Sequence, residues 1–182
     1  MTTHDARQDC KVTGRKFFLD TNVWININGF DPRPEFRVYS NYYKSILEAD
    51  NAIVTSDLVV SEFHNRCCKT QHSICLESGI TTETSFKRFR VLPEAREFME
   101  SVRDTCLNLI DDCEVDQLEL GVFSLSDIIE SCTAGRSDYN DLLILELCRL
   151  RGYILVTHDR DYANCGIEVA TANTRFLREA GA

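Results

Sequence analysis

The stretch Phe17-Phe18-Leu19-Asp20-Thr21-Asn22-Val23-Trp24 constrains the fold more than any other part of this chain. Apolar residues run straight into an acid, and residues suited to turns and helix caps follow at once. A short apolar run bounded by a polar cluster predicts a strand buried on both faces, as in parallel sheets. Asp20 then stands at the strand's carboxyl end, the edge where open α/β sheets bind ligands. A carboxylate at that rim is costly unless something pairs with it. The rest of the chain is read for what Asp20 meets.

A second buried strand is clearer still: Tyr153-Ile154-Leu155-Val156-Thr157, followed by His158-Asp159-Arg160-Asp161. Shorter strands are predicted near 52–55 and 167–170. Helices are predicted over 38–48, 57–75, 94–112, 139–151 and 173–180. Ser56 and Ser137 or Asp138 serve as N-caps and Gly152 as a C-cap. Ser124 or Ser126 opens a brief helix, and Leu118-Glu119-Leu120 reads as a short strand or extended link. Residues 29–34 form a loop by their Gly and Pro content. Strands alternating with helices predict one α/β domain with a mostly parallel central sheet flanked by helices. It spans 15–182, after a polar, frayed segment over 1–14, and includes an extended helical region at 76–117.

With 182 residues, 43% of them hydrophobic, the chain can bury a real core. Its formal charge of −9 and pI of about 4.9 argue against broad electrostatic binding of nucleic acid. They leave room for a nucleic-acid enzyme whose acids hold metal ions. The first sixteen residues are polar, so no signal peptide is expected, and no apolar run approaches a membrane span. The nine cysteines read as thiols of a reducing cytosol, which predicts a cytoplasmic protein.

Four acids adjoin buried apolar sequence: Asp20, Glu62 in Leu58-Val59-Val60-Ser61-Glu62-Phe63, Asp141 in the first turn of its helix, and Asp159. Asp20 and Asp159 both follow strands, and neighbouring parallel strands would bring them to one edge. If the four converge, each carboxylate pair at about 5 Å repels by roughly 3 kcal/mol at an effective dielectric of about 20. Cations would then be needed, and oxygen ligands select Mg²⁺ or Mn²⁺. Such ions acidify water and neutralise phosphoryl oxygens, which is hydrolytic phosphodiester chemistry. Each acid also has a plainer reading. Asp138 suits an N-cap, Asp161 a turn cap, and Glu62 an exposed helix position.

These blocks, together with Asn140-Asp141-Leu142-Leu143-Ile144 and Leu155-Val156-Thr157-His158-Asp159-Arg160-Asp161-Tyr162, resemble the PIN-domain nucleases, which include the VapC-type toxins. The resemblance runs over about 18–165. It implies a metal-dependent ribonuclease with Asp20, Glu62, Asp141 and Asp159 around Mg²⁺ or Mn²⁺. Asn22 and Thr157 match positions that steady those acids, and Asp161 and Asp138 are candidates for further ligands. It also implies an RNA substrate and a basic antitoxin-like partner, and it allows a homodimer. The region 76–117 is longer than in the smallest members, so its role does not carry over.

Two rival functions stay open: a non-catalytic binding module on the same fold, and a metal-dependent phosphohydrolase on small phosphoesters. His64, Cys67, Cys68, His72 and Cys75 invite a zinc reading. On one helix, positions 64 and 75 stand about 16 Å apart, so one helix supplies two ligands, such as His64 and Cys68, and not four. A buried core face explains the cysteines better. His158 reads as a packed residue before a general base. Lys87, Arg88 and Arg90, set among Phe86 and Phe89, could neutralise and stack single-stranded RNA, or form a solvated turn.

Overall fold

The computed structural model describes residues 2–29, 37–119, 122–133, 135 and 137–181. Its centre is strand β2 (Lys16–Leu19), where Phe17, Phe18 and Leu19 are almost wholly buried. Alternation is absent because helices cover both faces. β2 pairs in parallel with β3 (Ala52–Thr55) on one side and β5 (Ile154–Val156) on the other. β4 (Glu114–Val115) extends the sheet beyond β3, while β6 (Val169–Thr171) and β1 (Thr3–Asp5) extend it beyond β5. The order is β1-β6-β5-β2-β3-β4, parallel throughout. The chain winds outward from β2 through β3 to β4, then returns to β5 and winds the other way. The junction of β2 and β5 is thus the topological switch point, where α/β sheets open a crevice at the carboxyl ends.

Eight helices are present among the described residues: α1 (Thr21–Ile27), α2 (Arg37–Glu48), α3 (Asp57–Glu77), α4 (Phe86–Phe89), α5 (Pro93–Asp111), α6 (Leu125–Thr133), α7 (Tyr139–Arg151) and α8 (Thr174–Glu179). Local chemistry sets their ends. The Ser56 hydroxyl accepts from the Val59 amide at 3.4 Å, and Pro93 stands in the first turn of α5. Gly152, at φ 69°, takes the left-handed conformation that closes α7. α7 buries Leu143, Ile144, Leu145, Leu147 and Cys148, as its nearly all-round apolar surface requires.

One expectation gives way. Residues 1–14 are not simply frayed: Thr3–Asp5 pairs with β6, Ala6 is buried, and the Cys10 amide bonds the Ser45 hydroxyl at 3.0 Å. An edge strand is held by its backbone, so a polar sequence conceals it. The stretch 118–120, expected as a short strand or an extended link, is a link through Glu119, and a two-residue strand forms just before it at Glu114–Val115, in register with Val54 and Thr55. The predicted loop at 29–34 falls almost entirely outside the described residues. The extended region 76–117 consists of the end of α3, then α4, α5 and β4. The nine cysteines are all free thiols. Among the described residues no helix is long and apolar enough to cross a membrane.

Candidate active site

Asp20 occupies the N-cap position of α1, yet its side chain makes no capping bond. It turns toward β5 instead. Thr157, wholly buried one residue past β5, donates its hydroxyl to Asp20 Oδ2 at 2.6 Å, and the Asn22 amide donates to the same oxygen. Asn22 also bonds Thr157 Oγ1 at 3.2 Å, and its own carbonyl accepts the His158 amide at 3.0 Å. The pairing of Leu19 with Val156 brings Asp20 and the Thr157–Asp159 turn to one sheet edge.

Asp159 is exposed. Its amide bonds Thr157 Oγ1 at 3.0 Å, and its Oδ1 accepts the Asp161 amide at 3.0 Å. Asp161 is exposed on the same turn. Glu62, half-buried on α3, accepts from the Thr21 hydroxyl at 3.1 Å and pairs with Arg66 at 3.4 Å. Asp141 accepts from the buried Tyr162 hydroxyl at 3.0 Å. Asp138 caps α7, its Oδ1 accepting the Asp141 amide at 3.0 Å.

Electrostatics ties these acids into one neighbourhood. Burial, and then the like charges of Asp141 and Glu62, push the Asp20 carboxyl up to about 7, against the Thr157 hydrogen bond. Burial, and then Asp138 and Asp159, push Asp141 up to about 6, against the Tyr162 hydroxyl. Among the described residues no three His, Cys, Asp or Glu side chains stand close enough to enclose an ion as they lie. Repulsion of roughly 3 kcal/mol per pair at about 5 Å opposes closer approach. The donor set is all oxygen, which suits a hard divalent cation, and the raised Asp20 carboxyl is the strain such an ion would relieve.

An open cleft of about 410 Å³ is lined by Asn22, His158, Asp159, Arg160, Asp161 and Asn173. A neighbouring hollow of about 390 Å³ adds Thr174 and Arg175. The 600 Å³ cavity between α3 and α5 is larger, but it touches none of the four acids. His158 packs locally, with Nδ1 2.9 Å from the Tyr39 hydroxyl and its ring edge-on to Tyr39.

The basic cluster lies apart from the acids. Phe89 is buried, stacked on His72 at 4.6 Å, and Arg88 pairs with Glu83 at 2.8 Å. At about 100° per residue, Glu62 and Cys75 point to opposite sides of α3, and Cys75 packs with Phe89. Lys87, Arg88 and Arg90 therefore follow the far side of that helix. Four residues beside the candidate acids were not singled out in the sequence: Thr21, which holds Glu62, Tyr162, which holds Asp141, and Arg160 and Arg175 at the cleft. Tyr162 had a signal, an aromatic residue directly after a charged turn. The others had none.

A family model described as PIN domain matches residues 17–168. The chain is similar to VapBC2 from Rickettsia felis, whose crystal structure holds a DNA fragment from their promoter. Identity is 15% over 86% of this chain and 98% of that one, with a TM-score of 0.55. It is also similar to PAE2754 from Pyrobaculum aerophilum, at 14% identity over 97% of this chain and 99% of that one, with a TM-score of 0.46. No curated protein matches. At such identities the structural likeness speaks to fold alone.

Proposed function

This chain belongs to the PIN-domain family, and from that premise we propose that it is a metal-dependent ribonuclease, the toxin of a toxin–antitoxin pair. The observation that carries the reading is Asp20: buried at the switch point, held by two donors, and pushed up to about 7 by burial and by other acids. A stabilising cap would not be surrounded by like charge.

Asp20, Asp141, Asp159 and Glu62 would hold Mg²⁺ or Mn²⁺, with Asp161 and Asp138 as outer acids. When bound, such an ion acidifies a water and neutralises phosphoryl charge. The protein's own groups do the positioning. Thr157 and Asn22 fix the Asp20 oxygen, Thr21 orients Glu62, and Tyr162 orients Asp141. Arg175 supplies positive charge beside the cleft, and Arg160, paired with Glu179, can exchange that partner for a flanking phosphate of a polynucleotide. An open cleft of this kind accepts a strand more readily than a small phosphoester. The net charge of −9 suits a basic, Arg-bearing partner peptide over the acids.

The test is cleavage of a mixed panel of single-stranded RNA and DNA with Mn²⁺, with and without EDTA. RNA cleavage that EDTA abolishes is the expected result. Cleavage indifferent to EDTA, or of DNA alone, contradicts the proposal.

A further inference from the structure

We infer that the seam between α3 and α5 is a binding site for a soft monovalent ion, Cu(I), held by His64 Nε2, Cys68 Sγ and Met99 Sδ. His64 and Cys68 are one turn apart on α3, and their ligating atoms stand 3.8 Å apart. Met99 comes from α5, with its sulfur 3.5 Å from that of Cys68. Ligands about 2.0–2.3 Å from one ion, at tetrahedral to trigonal angles, stand about 3.5–4.0 Å from each other. Both separations meet that condition.

The ligand set chooses the ion. Among the described residues no three His, Cys, Asp or Glu side chains could hold a metal, so a third ligand for zinc is lacking at this seam. The third ligand is a thioether, which soft ions accept and zinc or magnesium do not favour. A cavity of about 600 Å³ opens at the His64 side of the seam, lined also by Val60, Ile110, Cys106 and Asn65. The Cys68 Sγ–H donates to Met99 Sδ, so the thiol carries its proton before binding. The ion displaces this proton to the buffer, one sulfur–copper bond replaces one sulfur–hydrogen bond, and no oxidation state changes. The site faces away from Glu62, across α3, so it stands or falls independently of the nuclease reading.

The experiment is an anaerobic titration of the full chain with Cu(I) against bicinchoninate as competing chelator. One Cu(I) per chain should resist the chelator. Met99→Leu, which nearly conserves volume, should weaken binding at least tenfold. Cys68→Ser should abolish it, and Cys165→Ser should leave it unchanged. Copper-edge absorption should show two sulfur neighbours and one nitrogen. The proposal is overturned if no Cu(I) is retained, if Met99→Leu binds like the parent, or if Cys165→Ser weakens binding as much as Cys68→Ser, which would mean scattered thiol binding. Zn²⁺ that displaces Cu(I) overturns it too.

Discussion

The carboxyl edge of the sheet and the contact between α3 and α4 both bury polar atoms, and they do so in opposite ways. At the α3–α4 contact, His72 donates Nε2–H to the Glu83 carbonyl at 2.7 Å and stacks on Phe89, so its polarity is spent locally. At the edge, Asp20 has two donors, and still burial, followed by the neighbouring acids, raises it to about 7. One arrangement lowers the energy of the fold and the other raises it. A fold retains unfavourable electrostatics where a site needs it. The edge should therefore govern activity, and the α3–α4 contact should govern stability.

The strongest way to break that comparison is to exchange the effects. Asp141→Asn should lower RNA cleavage by about a thousandfold or more, since a metal ligand is lost, while the melting temperature stays within a few degrees. Arg90→Ala, on the far side of α3, should change cleavage less than about twofold. Initial rates with Mn²⁺ measure both, and an Arg90 effect rivalling the Asp141 effect would erase the distinction.

Next in size is Phe89→Ala. Phe89 is buried against Cys75, Ala95 and His72, so truncation should destabilise by about 3–5 kcal/mol. Urea unfolding reads the loss, and cleavage per folded molecule should be unchanged.

The edge also predicts a pH dependence of the metal-free protein. Asp20 and Asp141 are raised to about 7 and about 6 from 3.8. The folded state therefore binds more protons than the unfolded state between about pH 4 and 7, and stability falls as pH rises through that window. In EDTA, the parent should be more stable at pH 5 than at pH 8 by about 1–3 kcal/mol, and Asp20→Asn should flatten the slope. A parent that gains stability over the same range would contradict the burial of Asp20 as an acid among acids.

The smallest expected effect sharpens the positioning roles. Tyr162→Phe removes the hydroxyl that Asp141 accepts. It should destabilise by about 1 kcal/mol and lower cleavage roughly tenfold without changing the metal requirement.

What could be read in advance follows from the same physics. β2 and β5 were legible because strands buried on both faces are written as unbroken apolar runs, and their terminal acids stand out against them. β1 was hidden because edge pairing through backbone atoms asks little of side chains. The candidate acids were singled out by position, Asp20, Asp141 and Asp159 beside element ends and Glu62 within its helix. Their supports were not, since the contact of Thr21 with Glu62 depends on how α1 meets α3, and that of Tyr162 with Asp141 on the turn after β5. The pair Cys68 and Met99 is 31 residues apart, and only the packing register of two helices brings the sulfurs together.

The most direct test of the edge as a metal centre is one pair of thermal melts, parent and Asp20→Asn at pH 8, each in EDTA and in Mg²⁺. Removing one buried like charge should leave the metal-free mutant as stable as the parent or more so, by about 1–3 kcal/mol. Mg²⁺ should raise the parent's melting temperature more than the mutant's, because the ion binds the folded form through Asp20. If Asp20→Asn melts well below the parent in EDTA while Mg²⁺ shifts both equally, Asp20 is a structural group and not a metal ligand.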